Sequence, residues 1–188
     1  MVEVGNFKFI ETKIPDLYIV EPKVFGDARG YFMESYKKEL FEKYIGAVDF
    51  IQDNESRSSY GVVRGLHFQK GEWSQSKLVR VTQGRVYDVV VDLRRTSPTF
   101  GQYVGIELSD ENKKQLFVPR GFAHGFAVLS ETAQFCYKVD NVYAPHEEVT
   151  LFYNDPHVAV QWPIKAEDML LSEKDKKGLG FEEIEVFE

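Results

Sequence analysis

Cysteine is nearly missing from this sequence: the single Cys136 excludes an internal disulfide and any metal site built from several thiolates. A basic excess is also missing. Lys and Arg number 23 against 30 Asp and Glu, for a formal net charge of −7. Non-specific nucleic-acid binding needs a basic surface that releases counterions, so no nucleic-acid partner is expected, although a local basic pocket for a small phosphorylated ligand stays open. No apolar run approaches the roughly 20 residues that span a bilayer, and no membrane partner is expected. Met1 to Asn6 holds no basic region followed by an apolar stretch, which predicts a cytoplasmic protein. Repeats, low-complexity tracts and Pro/Gly/Ser linkers are absent as well. The expectation is one domain over residues 1–188, with a polar, partly helical C-terminal arm from about residue 164.

What the chain does have is aromatic residues, 15 Phe, 10 Tyr and 2 Trp in 188 positions, and a period of two. Phe7 to Ile10 and Leu17 to Val20 read as short strands, and Lys37 to Tyr44 as a helix with Leu40, Phe41 and Tyr44 on one side. Lys77–Val81 and Val86–Leu93 read as a hairpin turning at Gln83-Gly84. A second hairpin runs from Tyr103–Leu108 to Gln115–Val118. Phe122–Leu129, Ala133–Val139, Val149–Phe152 and Val158–Trp162 are further strands, and Asp168–Lys177 a short helix. Many short strands joined by close turns predict an all-β, antiparallel sandwich or barrel.

Parity then sorts single residues. Val79 and Val81 share a face, as do Tyr87, Val89, Val91 and Leu93; Arg80, Thr82, Asp88 and Asp92 take the opposite face. Lys77 has the parity of Val79 and so is expected to point inward, where an ammonium is costly unless paired or functional. Tyr137 shares a side with Phe135 and Val139, and an inward hydroxyl needs a partner or a task. His67 and His124 lie among apolar neighbours. Each of the four has an ordinary structural explanation taken singly, but polar groups converging in one apolar cavity mark a small-molecule site.

Pro119-Arg-Gly-Phe-Ala-His124 resembles the second histidine motif of the cupin superfamily, in which a first motif supplies two histidines one residue apart. Here that stretch reads His67-Phe68-Gln69. Gln69 stands where the second ligand would be, and two histidines fall short of the three protein ligands that stable sites generally use. No metal is expected.

A longer resemblance follows. Phe25-Gly-Asp-Ala-Arg-Gly-Tyr-Phe32, Gln52-Asp-Asn54, Val63-Arg-Gly-Leu-His-Phe-Gln69, Asp92-Leu-Arg94, Ser97-Pro-Thr-Phe-Gly101, Val118–Phe126, Tyr137-Lys138, Tyr143-Ala-Pro145 and Leu171-Ser-Glu-Lys-Asp175 run in order along nearly the whole chain. In this the chain resembles the dTDP-4-dehydrorhamnose 3,5-epimerase family of metal-free cupins. The resemblance implies a jelly-roll (cupin) fold, a dTDP-4-keto-6-deoxyhexose substrate and no cofactor. It implies His67 as base, oriented by Asp175, Tyr137 as acid, and Lys77 as the cation for the enolate oxygen. It also assigns substrate binding to Arg29, Glu34, Gln52, Asp53, Asn54, Arg64, Lys77, His124, Glu148 and Lys174. Finally, it implies a homodimer whose N-terminal segments reach the partner's site. Alternatives are a relative acting at C3 or C5 alone, a keto-isomerase of a related nucleotide sugar, and a non-catalytic sugar-binding sandwich.

Overall fold

The inward and outward faces of the strands are sorted by two packed antiparallel sheets. In the computed structural model, which describes residues 1–188, one sheet has seven strands. Across it run β1 (Val2–Val4), β2 (Phe7–Glu11) and β3 (Tyr18–Pro22), then β11 (Gln115–Val118), β8 (Lys77–Gln83), β13 (Thr132–Val139) and β6 (Gln52–Ser59) at the far edge. The other sheet orders β10 (Tyr103–Ser109), β9 (Arg85–Asp92), β12 (Phe122–Val128), β7 (Val63–Gln69) and β14 (Glu148–Thr150). Between β3 and β6 lie an exposed hairpin of β4 (Phe25–Asp27) and β5 (Gly30–Phe32), then helix α1 (Lys38–Ile45); a single turn, α2 (Glu173–Lys176), comes late in the chain. The architecture is a cupin-like jelly roll. No helix is long and apolar enough to cross a membrane.

Neither expected hairpin forms. β8 lies in the seven-stranded sheet and β9 in the five-stranded one, and β10 and β11 are divided the same way. Gln83-Gly84 is therefore a corner between sheets. Gly84 has φ +75° there, and a Cβ would come within 2.1 Å of the Thr132 carbonyl oxygen, so only glycine fits. Alternation of period two reports a buried face but not the neighbour strand, because strands facing each other across a sandwich share it with strands paired side by side.

The corner also reverses the reading of β9. Val86 and Val90 face the core between the sheets, together with Val79, Val81, Phe126 and Phe135. Val89, Val91 and Leu93 point the other way, into a second core closed by Val158, Val160, Phe181 and Ile184 of the C-terminal segment. Asp88 and Asp92 therefore point inward, both fully buried. Asp92 is satisfied by Arg94, Ser97 and Thr99, which makes that stretch a structural clamp. Val158–Trp162 forms no strand, and the expected helix over 168–177 shrinks to a 3-10 turn at Ala166–Asp168 and to α2. Phe7, Phe9 and Phe41 pack α1 on the outer face of the larger sheet in a third core.

Candidate active site

The site lies between the sheets. His67 on β7 and His124 on β12 are directly paired across neighbouring strands, so both side chains leave the same, inner face. Glycine makes that pairing possible: a Cβ on Gly65 would sit 2.6 Å from the Gly125 Cα and 2.8 Å from the His124 carbonyl oxygen. From the opposite sheet, Tyr137 on β13 stands between Val79 of β8 and Asn54 of β6, and Lys77 pairs with Val139 at the start of β8. Arg64, His67, Lys77, His124, Tyr137 and Asn54 line one cavity of about 270 Å³, together with Phe126 and Phe135.

Each inward histidine has its own carboxylate. His67 Nε2 lies 2.7 Å from Asp175 Oδ1. Asp175 sits in α2, where Ser172 caps the turn: its Oγ accepts from the Asp175 N–H and donates to Asp175 Oδ2 at 2.6 Å. Gly65 N–H donates to Oδ1 as well. Burial alone would raise the pKa of Asp175, but these bonds outweigh it and hold the group below the ordinary range. Asp175 is thus a carboxylate, an acceptor only, and it fixes the proton on His67 Nε2. The free lone pair is on Nδ1. His124 Nε2 instead meets both oxygens of Asp88 at 3.0 Å. Burial raises the Asp88 pKa, with His124 and then Lys77 opposing.

Lys77 keeps accessible surface, but it opens on the cavity rather than on bulk water. Its enclosure lowers the ammonium pKa to about 8, opposed by Glu148 and Asp88 and assisted by Lys174. The Tyr137 hydroxyl is raised by burial and by Glu148, against Arg64. Glu148 pairs with Lys174 and accepts from the Tyr143 hydroxyl at 2.8 Å; those bonds overcome its burial and lower its pKa. Lys174 lines a neighbouring pocket that shares Arg64 and His67 with the cavity and also holds Asp175.

The remaining expected residues are less tightly grouped. Gln52 donates to Asn54 from the exposed end of β6, and Asp53 points to the other face of that strand, toward Lys138. Arg29 is exposed at the tip of the β4–β5 hairpin, bonded to Asp27, and Glu34 accepts from Asn6; neither reaches this chain's central cavity. Sequence reasoning missed Asp88, whose parity put it on the wrong face. It also missed the cap of Ser172, which the spacing Ser-x-x-Asp does encode.

A family model described as dTDP-4-dehydrorhamnose 3,5-epimerase matches residues 11–183. The dTDP-4-dehydrorhamnose 3,5-epimerase of Pseudomonas aeruginosa is 54% identical over 181 residues, covering 96% of this chain and 99% of that one. The crystal structure of the Elizabethkingia anophelis enzyme of the same name is 53% identical, with a TM-score of 0.91 over 95% of this chain and 98% of that one. A Legionella pneumophila dTDP-6-deoxy-D-glucose-3,5-epimerase, solved in complex with dTDP-4-keto-L-rhamnose, is 48% identical with a TM-score of 0.91, covering 95% of both chains. With the histidine, tyrosine and lysine of its motifs gathered in one cavity, the chain belongs to the dTDP-4-dehydrorhamnose 3,5-epimerase family.

Proposed function

We propose that this protein epimerises dTDP-4-dehydro-6-deoxy-D-glucose at C3 and C5, giving dTDP-4-dehydro-L-rhamnose. The observation that carries this reading is a single cavity receiving an imidazole from one sheet and a phenol from the other, with an enclosed ammonium beside them. Both carbons flank the C4 ketone, so loss of either proton leaves an enolate. His67 Nδ1 takes the proton from one face of the carbon, and the C–H electron pair moves through the new C=C bond onto the ketone oxygen. The Lys77 ammonium holds that oxyanion, a charge aimed in advance at charge that develops. The enolate then takes the Tyr137 proton on the opposite face, which inverts the centre. Proton exchange with water returns both groups to their starting states before the second carbon reacts. Asp175 stabilises the imidazolium while it exists. A pKa of about 8 keeps Lys77 mostly cationic at neutral pH.

Arg64, Asn54, Gln52, His124, Glu148 and Lys174 serve the nucleotide and sugar ends; Arg64 has the forked donors that suit phosphate oxygens. Residues 1–188 act as one cytoplasmic domain and as a homodimer. Exposure of Phe25, Tyr31 and Phe32 on the hairpin that carries Arg29 supports its reaching, with Glu34, toward a partner's site; Asp53 completes the substrate-binding set. The test is exchange in D₂O. Incubation with the dTDP-4-keto sugar is expected to add two deuterons, one at C3 and one at C5, read by mass spectrometry. A gain at one carbon would instead identify a single-site epimerase, and no gain would contradict the reading.

A further inference from the structure

Gln69 takes no part in the chemistry above, yet its amide is fully engaged. It is nearly buried at the end of β7. Its Nε2 donates to the carbonyl oxygens of Trp73 at 2.7 Å and Val142 at 3.0 Å, and its Oε1 accepts from the Ala144 N–H at 2.8 Å. The bonds to Val142 and Ala144 bracket one residue, Tyr143. The Tyr143 ring is exposed, but its hydroxyl donates to Glu148, which also pairs with Lys174. Glu148 is in turn the cross-strand neighbour of Gln69. The contacts therefore close a circuit: amide, backbone of residues 142–144, phenol, carboxylate and back to β7. Gln75 supports the same loop from outside, donating to the carbonyl oxygens of Asn141 and Val142.

We propose that Gln69 is a positioning residue for ligand binding, setting Tyr143 and the Glu148–Lys174 pair beside the cavity. There Glu148 acts on Lys77 and Tyr137. The side chain that occupies a metal-ligand position in the cupin pattern is used here to hold a recognition loop. The inference rests on the epimerase reading for the identity of the ligand. Residues 140–147 join β13 to β14. Without the amide, the Ala144 N–H loses its partner and the Val142 carbonyl keeps only the longer bond from Gln75, so a ligand must order the loop as it binds. That cost falls equally on the ground state and the transition state. It therefore enters KM and leaves kcat alone.

The test is Q69M, which keeps the length of the side chain and removes all three bonds. Its Kd for dTDP by calorimetry, and its KM, are expected to rise about tenfold, with kcat within about twofold of wild type. Y143F is expected to weaken dTDP by a smaller factor, and the double variant by less than the product of the two, because both act on one contact. An unchanged dTDP Kd in folded Q69M, a fall in kcat at constant KM, or strictly multiplicative effects would overturn the proposal. If Q69M does not fold, Q75M takes its place: a weaker shift in the same direction supports the proposal, and none overturns it. Failure of the wild type to exchange protons in D₂O is a separate result and counts against the epimerase reading alone.

Discussion

The two His–Asp pairs begin alike and end differently. His67 and His124 face each other across β7 and β12, point the same way, and bond a carboxylate through Nε2. The His67 side chain is 25% exposed and His124 is 7% exposed; their carboxylates are 4% and 0% exposed. Asp175 arrives on a capped turn whose donors keep it ionised. Asp88 arrives on a neighbouring strand, where burial raises its pKa and His124, bonded to both its oxygens, is the first group that opposes the rise. The first pair is the more open on the cavity side and, in the proposed mechanism, orients a base. The second is nearly closed: His124 still lines the cavity, where the proposed function has it bind substrate, while Asp88 behind it acts on packing and on the field around Lys77. The motif alone does not make a base; access to its free nitrogen does.

Breaking the comparison outright requires the histidines themselves. H67N is expected to abolish deuterium uptake at both carbons, a loss of about a thousandfold or more, whereas H124N weakens substrate binding and keeps measurable exchange at saturation. Equal loss in both would mean that the closed pair also serves as the base.

The aspartates separate chemistry from stability. D88A leaves a buried imidazole without its partner and is expected to cost about 3 kcal/mol, read as a lower unfolding midpoint. D175A, which leaves the His67 ring, the Gly65 N–H and the Ser172 hydroxyl without their acceptor, should lower kcat about a hundredfold and cost about 1–2 kcal/mol of stability. The comparison fails if D175A melts below D88A. The smallest effect belongs to the cap: S172A removes both bonds between the Ser172 hydroxyl and Asp175 and should reduce kcat a few fold with KM unchanged. A change confined to KM would move Ser172 from orienting the base to binding substrate.

Much of this site is legible one residue at a time. Lys77 and Tyr137 follow from parity: β13 buries a single face, and β8, although Leu78 is buried on its other side, still sets Val79 and Val81 against Arg80 and Thr82. Asp88 does not. β9 packs both faces into cores, so its alternation gives no inward side, and the switch of sheets at Gly84 leaves no mark that distinguishes it from a hairpin turn. His67 and Asp175 lie 108 residues apart, and no local pattern links them; only the family resemblance does. The resemblance also supplied Arg29 and Glu34, which this chain's own cavity does not gather. The strands of the barrel could be read from their alternation, but their partners could not, since pairing is a long-range choice among similar edges.

In the proposed mechanism a base and an acid work from opposite walls on the same carbon. Y137F tests it most directly, through deuterium uptake and product configuration measured together in D₂O. Y137F is expected still to exchange protons at the carbons His67 reaches but to return them with configuration retained. Inversion at the wild-type rate, or loss of exchange as complete as in H67N, would contradict it.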